Sequence, residues 1–200
     1  MVHGRLQRGI TILIMLVGAA GLSCLWAGNG FTGGDGNRDA IVREIVTVLK
    51  DQRVTLTDSK LTAMAHSIYD ESKSHDIDYR LILAIIKVES NFKANVTARD
   101  GSRGLMQIQP SLAKGIARKK GETFKGAKDL HNPESNVRYG TYHVAKLMEE
   151  HENVSAALHV YNAGIRKAQK RLAVEEEPDT PFVRRVLSEY HKYKTVLPEL

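Results

Sequence analysis

The sequence predicts an all-α fold, or a mainly α fold with at most a tiny sheet within residues 91–131. Three observations predict it. Apolar residues recur at three- and four-residue intervals from Arg38 almost to the C-terminus. Capping residues stand before most of these runs: Thr57 or Asp58, Asp78, Asn132 with Pro133, Asn153, and Thr180 with Pro181. No run alternates apolar and polar residues convincingly, as a half-buried strand does.

Taken in order, residues 38–50 put Ile41, Ile45, Val48 and Leu49 on one helical stripe. The cap at 57 or 58 opens a helix carrying Leu61, Met64, Ala65, Ile68 and Tyr69. Asp78 caps a third, residues 79–90. Residues 91–103 read as a loop, with Asp100-Gly101 marking a turn. A short helix covers 111–119. Asn132-Pro133 opens a helix to about His151, with Val137, Gly140, Val144, Leu147 and Met148 inward. Asn153 opens the next, with Val154, Ala157, Leu158 and Tyr161 on one stripe and Gly164 as its C-terminal cap. Residues 165–174 are helical and basic. Glu175-Glu176-Glu177-Pro178 breaks the pattern, and Thr180-Pro181 opens a last helix from 182 to about 194.

Composition excludes several classes. With 42% hydrophobic and 26% charged residues, the 200-residue chain is neither disordered nor fibrous. One cysteine, Cys24, allows no internal disulfide. Seven of the eight histidines follow residue 60 without HExxH or ligand-like spacing, so no metal and no cofactor are expected. The basic run Arg166, Lys167, Lys170 and Arg171 has no interleaved aromatics. It reads as a solvated helix face, and no nucleic-acid partner is expected. The net charge of +6 suits an anionic polymer or membrane surface, and equally a plain solvated surface.

The N-terminus reads as an export segment. Arg5 and Arg8 precede an uncharged, mostly apolar run, residues 10–27. As a helix this run spans roughly 27 Å at ~1.5 Å per residue, just enough to cross the hydrocarbon of a bilayer. Residues 1–27 are thus a signal peptide or a membrane anchor. Leu25-Trp26-Ala27 is a weak cleavage site. Cys24 after Gly21-Leu22-Ser23 resembles a lipoprotein box with its leucine one position out of place. Residues 28–37 read as a tether.

One residue sits where its chemistry does not belong. Residues 79–90, YRLILAIIKVES, are apolar nearly all round, with Arg80 and Lys87 marking the wetter side. Glu89 falls seven residues after Ile82, on the apolar stripe of Ile85 and Ile86. It either reaches water at the helix end, pairs with a buried base, or faces a cleft lined by the core. In the last case desolvation raises its pKa, as a general acid requires.

Four motifs then bear on the choice. Glu89-Ser90-Asn91-Phe92, Gly104-Leu105-Met106-Gln107, Asn132-Pro133 with Asn136 and Gly140, and Tyr161-Asn162-Ala163-Gly164 follow one another in order. In order and spacing they resemble soluble lytic transglycosylase-type catalytic domains (glycoside hydrolase family 23), relatives of goose-type lysozyme. Thr180-Pro181-Phe182-Val183 with Val186 is similar to the family's closing segment. The resemblance covers roughly residues 58–194, and residues 28–57 then form the tether and an N-terminal helix.

The resemblance implies a lysozyme-like helical domain with a groove for peptidoglycan glycan strands, acting as a monomer on the periplasmic side of the cell envelope. Its reaction cleaves the bond between N-acetylmuramic acid and N-acetylglucosamine without water, leaving 1,6-anhydromuramic ends. Glu89 matches the catalytic acid. The resemblance also implies substrate contacts from Ser90, Gly104, Met106, Gln107, Tyr161 and Asn162, with the Tyr161 hydroxyl orienting Glu89. Ordinary glycosidases need two carboxylates, but an intramolecular attack needs only one. Asp100, the nearest loop carboxylate, reads as a turn former. Two positions depart from the family pattern. Ser102 stands for the usual alanine. Phe182 stands for a frequent tyrosine, so Phe182 is left out of the expected site. A hydrolytic muramidase and a non-catalytic wall-binding scaffold are the competing readings.

Overall fold

Four of the expected caps close their helix starts with side-chain hydrogen bonds. Asp78 accepts from the Arg80 amide at 2.9 Å, Asn132 from Ser135 at 2.8 Å, Asn153 from Ala156 at 2.7 Å and Thr180 from Val183 at 3.2 Å. Thr57 holds the cap position without such a bond. The structure, a computed structural model, describes residues 33–151 and 153–200. The order of helices there is α1 Gly33–Asp51, α2 Asp58–Ser74, α3 Tyr79–Ser90, α4 Pro110–Lys119, α5 Pro133–Glu150, α6 Val154–Ala163, α7 Ile165–Leu172 and α8 Pro181–Val196. A short 3-10 helix, Ala127–His131, leads into α5.

Helix α3 lies against α2 and α8, and everything from Leu81 to Ile86 is buried. Its apolar surface on nearly every side is why it becomes the central element. Ile41, Ile45 and Leu49 of α1 are fully buried in the same core. Residues 33–37, read from sequence as tether, are helical in α1. Weak local propensity is overridden when a helix is already nucleated by packing of its next turns. The expected export segment, residues 1–27, lies outside the described residues. Among the described residues no helix is long and apolar enough to cross a membrane.

No strand forms among the described residues. The stretch 96–108 keeps only isolated bridges, Thr97 with Arg103 and Arg103 with Ile108. Arg103 and Ile108 exchange both backbone bonds, at 3.1 and 3.0 Å.

Arg80, expected on the wet side of α3, is instead buried. Its Nη2 and Nε donate to Asp78, the shortest bond being 2.7 Å, and its Nη1 donates to the Leu197 carbonyl at 3.3 Å. The Tyr190 hydroxyl donates to Asp78 at 2.8 Å, and the Tyr79 hydroxyl to the Pro198 carbonyl at 2.7 Å. Burial pushes the Asp78 carboxyl up, but the bonds from Arg80 and Tyr190 outweigh it and hold the group below its ordinary range. Residues past 194 thus clasp the start of α3.

Candidate active site

Glu89 lies in the last turn of α3, and the chain bends away immediately after it. Asn91 (φ 49°) and Phe92 (φ 61°) both adopt left-handed backbone. Asn tolerates this, but a bulky Phe does so only when packing over-determines it. The Phe92 side chain is buried. A third non-glycine residue with positive φ in this region is Gln107, at 49°. Backbone strain therefore occurs both in the turn that follows Glu89 and in the turn that ends at Gln107.

The turn 104–107 is held by α5. Asn136, fully buried, accepts from the Met106 amide at 2.7 Å and donates to the carbonyls of Arg103 and Leu130 at 2.8 and 2.9 Å. Gly104 has φ 77°, and a Cβ there would stand 2.1 Å from the Leu130 carbonyl oxygen, so only glycine fits. Met106 is fully buried, with its sulfur packed over Gly140. The Met106 carbonyl accepts from the Tyr161 hydroxyl at 2.6 Å.

These contacts shape a groove of about 680 Å³. Glu89, Asp100, Ser102, Gln107 and Gln109 lie along it, with Leu112, Ile116 and Lys119 of α4, His143 and Lys146 of α5, and Tyr161 and Asn162 of α6. Of the seven residues expected at the site, the structure brings Glu89, Gln107, Tyr161 and Asn162 together on this groove. Ser90, Gly104 and Met106 do not line it. The Ser90 hydroxyl donates back to the Ile86 carbonyl at 3.1 Å. Gly104 and Met106 act in the wall behind Gln107. Tyr161 points its hydroxyl proton at Met106, so it has only acceptor capacity left for a protonated Glu89.

Burial pushes the Glu89 carboxyl up to about 7; the charge of Arg185 opposes this and that of Asp100 adds to it. Burial, and then the charge of Glu89, push the Tyr161 hydroxyl well above its ordinary value, so it stays protonated. Asp100 behaves oppositely. Its Oδ1 accepts from the Ser102 hydroxyl at 2.7 Å and the Ser102 amide at 3.1 Å, and these bonds hold it below its ordinary value. The groove thus pairs a protonated carboxyl with an ionised one. Gln107 donates to the Gly104 carbonyl at 2.7 Å, which fixes its amide while leaving one N–H and its carbonyl oxygen for other contacts; the Ser102 hydroxyl, 3.2 Å from that oxygen, gives its proton to Asp100.

Two contributors were not singled out in the sequence for what they do here. Asn136 appeared only as part of a motif, yet it ties the 104–107 turn to α5. His143 belongs to none of the motifs, although its position three residues after Gly140 and four before Leu147 puts a polar ring on the inward stripe.

Known proteins share this arrangement of elements. The profile of one family, the transglycosylase SLT domain, matches residues 66–181. The chain is 33% identical over 101 residues to membrane-bound lytic murein transglycosylase F of Yersinia enterocolitica, covering 47% of this chain and 19% of that one. It is 32% identical over 102 residues to a putative soluble lytic murein transglycosylase of Haemophilus influenzae, covering 49% and 17%. Among solved structures, an inactive mutant of the lytic transglycosylase Slt from Pseudomonas aeruginosa superposes with a TM-score of 0.60 at 21% identity, over 79% of this chain and 30% of that one. The 70-kDa soluble lytic transglycosylase from Escherichia coli gives 0.56 at 20% identity, over 80% and 30%. The matched stretch spans under a fifth of each of these two curated relatives. The profile covers more than half of the present chain, and the chain belongs to the transglycosylase SLT domain family.

Proposed function

We propose that this domain is a peptidoglycan lytic transglycosylase of the cell envelope, with Glu89 as its acid and base in turn. The observation that carries the reading is a carboxyl raised to about 7 by burial, lining a groove of about 680 Å³ with Gln107 and Asn162. Near neutral pH such a group is poised both to donate a proton and to take one back. Glu89 protonates the oxygen that links the anomeric carbon of N-acetylmuramic acid to N-acetylglucosamine, and that bond breaks. The sugar's own 6-hydroxyl then forms the new bond to the anomeric carbon, and its proton goes to the Glu89 carboxylate. The enzyme is regenerated and no water is consumed. The attack is intramolecular, so no activated water or protein nucleophile is needed.

Gln107 and Asn162 suit the substrate's acetamido and hydroxyl groups, because each can donate and accept. Tyr161, fixed through Met106, can accept from protonated Glu89 and so orient it. The uncharged run 10–27 after Arg5 and Arg8 would carry the domain to the wall side of the membrane, as a cleaved signal or a retained anchor.

The second reading, hydrolysis, has one observation in its favour: Asp100 also lines the groove. Its depressed pKa makes it a weak base, and its Oδ1 is engaged in the turn. Digestion of purified peptidoglycan by wild type and Glu89→Gln tests the role of the acid. A loss of about 10²–10⁴-fold is expected. Equal turnover by the two proteins would remove Glu89 from the mechanism, and no product from either would assign the chain a binding role.

A further inference from the structure

His143 takes no part in the mechanism above, yet it stands in the same groove as Glu89. Its ring packs on Tyr161 with centroids 5.4 Å apart and planes tilted 33°. On the other side Tyr161 stacks with Phe182 at 6.4 Å and 13°. Phe182 is buried in the core, Tyr161 is half-buried, and His143 lines the groove. The three rings form a column leading from the core to the groove. His143 spends its face on Tyr161, which leaves its edge for other contacts.

That edge carries two nitrogens. Neither has a hydrogen-bond partner among the described residues, and neither is sealed from water like the unpartnered ring nitrogens of His66, His151 and His159. Burial pushes the imidazole down to about 4, so it is neutral around pH 7, where Glu89 exchanges its proton. A neutral ring brings one donor and one acceptor and no charge. A cation here would pull the proton off Glu89. A phenyl ring would stack on Tyr161 equally well without two polar atoms to satisfy. In the open groove water satisfies both atoms, and a saccharide that displaces that water must supply the bonds in its place.

We infer that His143 reads the substrate: its imidazole edge hydrogen-bonds an uncharged polar group of the bound saccharide, a hydroxyl or an acetamido, beside Glu89. The inference rests on the transglycosylase reading of the site.

The test measures kcat/KM on purified glycan strands for wild type, His143→Phe, His143→Asn and His143→Ala, with thermal unfolding of each. His143→Phe keeps the stack and removes the hydrogen bonds. It is expected to lose about tenfold in kcat/KM, the effect of one or two neutral hydrogen bonds, without a lower Tm. His143→Asn is expected to retain several-fold more activity than His143→Ala. Equal rates for wild type and His143→Phe would overturn the inference. If His143→Phe does not fold, the Asn and Ala variants decide, and equal rates for those two would overturn it. De-N-acetylated strands separate the two sources. A shrinking gap between wild type and His143→Phe there assigns the contact to the acetamido group, and an unchanged gap assigns it to a hydroxyl. A wild type that releases no product from any strand overturns the transglycosylase reading itself. Cleavage by wild type with no effect at His143 sinks this inference alone.

Discussion

At Glu89 burial acts on stability as well as on chemistry. The folded value is about 7 against an ordinary 4.5. Below about pH 4.5 the group is protonated in both states. Between the two values the folded protein holds a proton that the unfolded chain releases, so rising pH destabilises the fold. Above about 7 the loss is complete. Glu89→Gln is therefore expected to match wild type at pH 4 and to be more stable at pH 8, by on the order of 2 kcal/mol after allowance for partial solvation. Urea unfolding at the two pH values checks this, and a pH-independent difference would contradict it. Glu89 was legible in the sequence because a carboxylate on an apolar stripe is an anomaly that counting exposes. Other site residues were legible only by name. Met106 works through its amide and carbonyl, and Ser90 through a bond to Ile86, and no motif says which part of a residue is used. His143 gave the same kind of signal as Glu89, but nothing in a single helix says which polar residue on the stripe meets the groove.

At the scale of elements the site is a turn clamped to a helix. Asn136 satisfies one amide and two carbonyls of separate segments, and Gly140 makes room for Met106. Asn136→Leu keeps the side chain's approximate size and orphans the Met106 amide and the Leu130 carbonyl, while the Arg103 carbonyl keeps the Ile108 amide. It is expected to lose about 3 kcal/mol, because buried unpaired groups cost ~1–3 kcal/mol each and some regain water. Activity should fall with it, since Gln107 is carried on the same turn. Denaturant unfolding with a parallel digestion assay checks both, and a change under about 1 kcal/mol would show that the turn holds itself. Helix starts at Asp78, Asn132, Asn153 and Thr180 were readable because the cap is local chemistry. The 3-10 helix 127–131 and the bridges of 96–108 were not, because their few backbone bonds are short-range and follow no apolar period.

At the scale of the whole molecule, the chain's end completes its central helix. Periodicity put Arg80 in water because it weighs only the neighbours on one helix. Leu197, Pro198 and Glu199 arrive from more than a hundred residues away and close over it. Arg80→Ala is expected to lose about 3 kcal/mol, as it takes the guanidinium from Asp78, leaving it the residue-80 amide and the Tyr190 hydroxyl, and leaves the Leu197 carbonyl without this donor. Thermal unfolding checks it, and an unchanged Tm would show the clasp to be idle. The clasp holds α3, α3 carries Glu89, and Glu89 faces the groove. The central claim is that Glu89 works against the sugar's own hydroxyl and not against water. Mass spectrometry of the products released from purified peptidoglycan tests it most directly. The account predicts 1,6-anhydromuramic ends with no uptake of solvent oxygen; reducing ends labelled by heavy-oxygen water would contradict it.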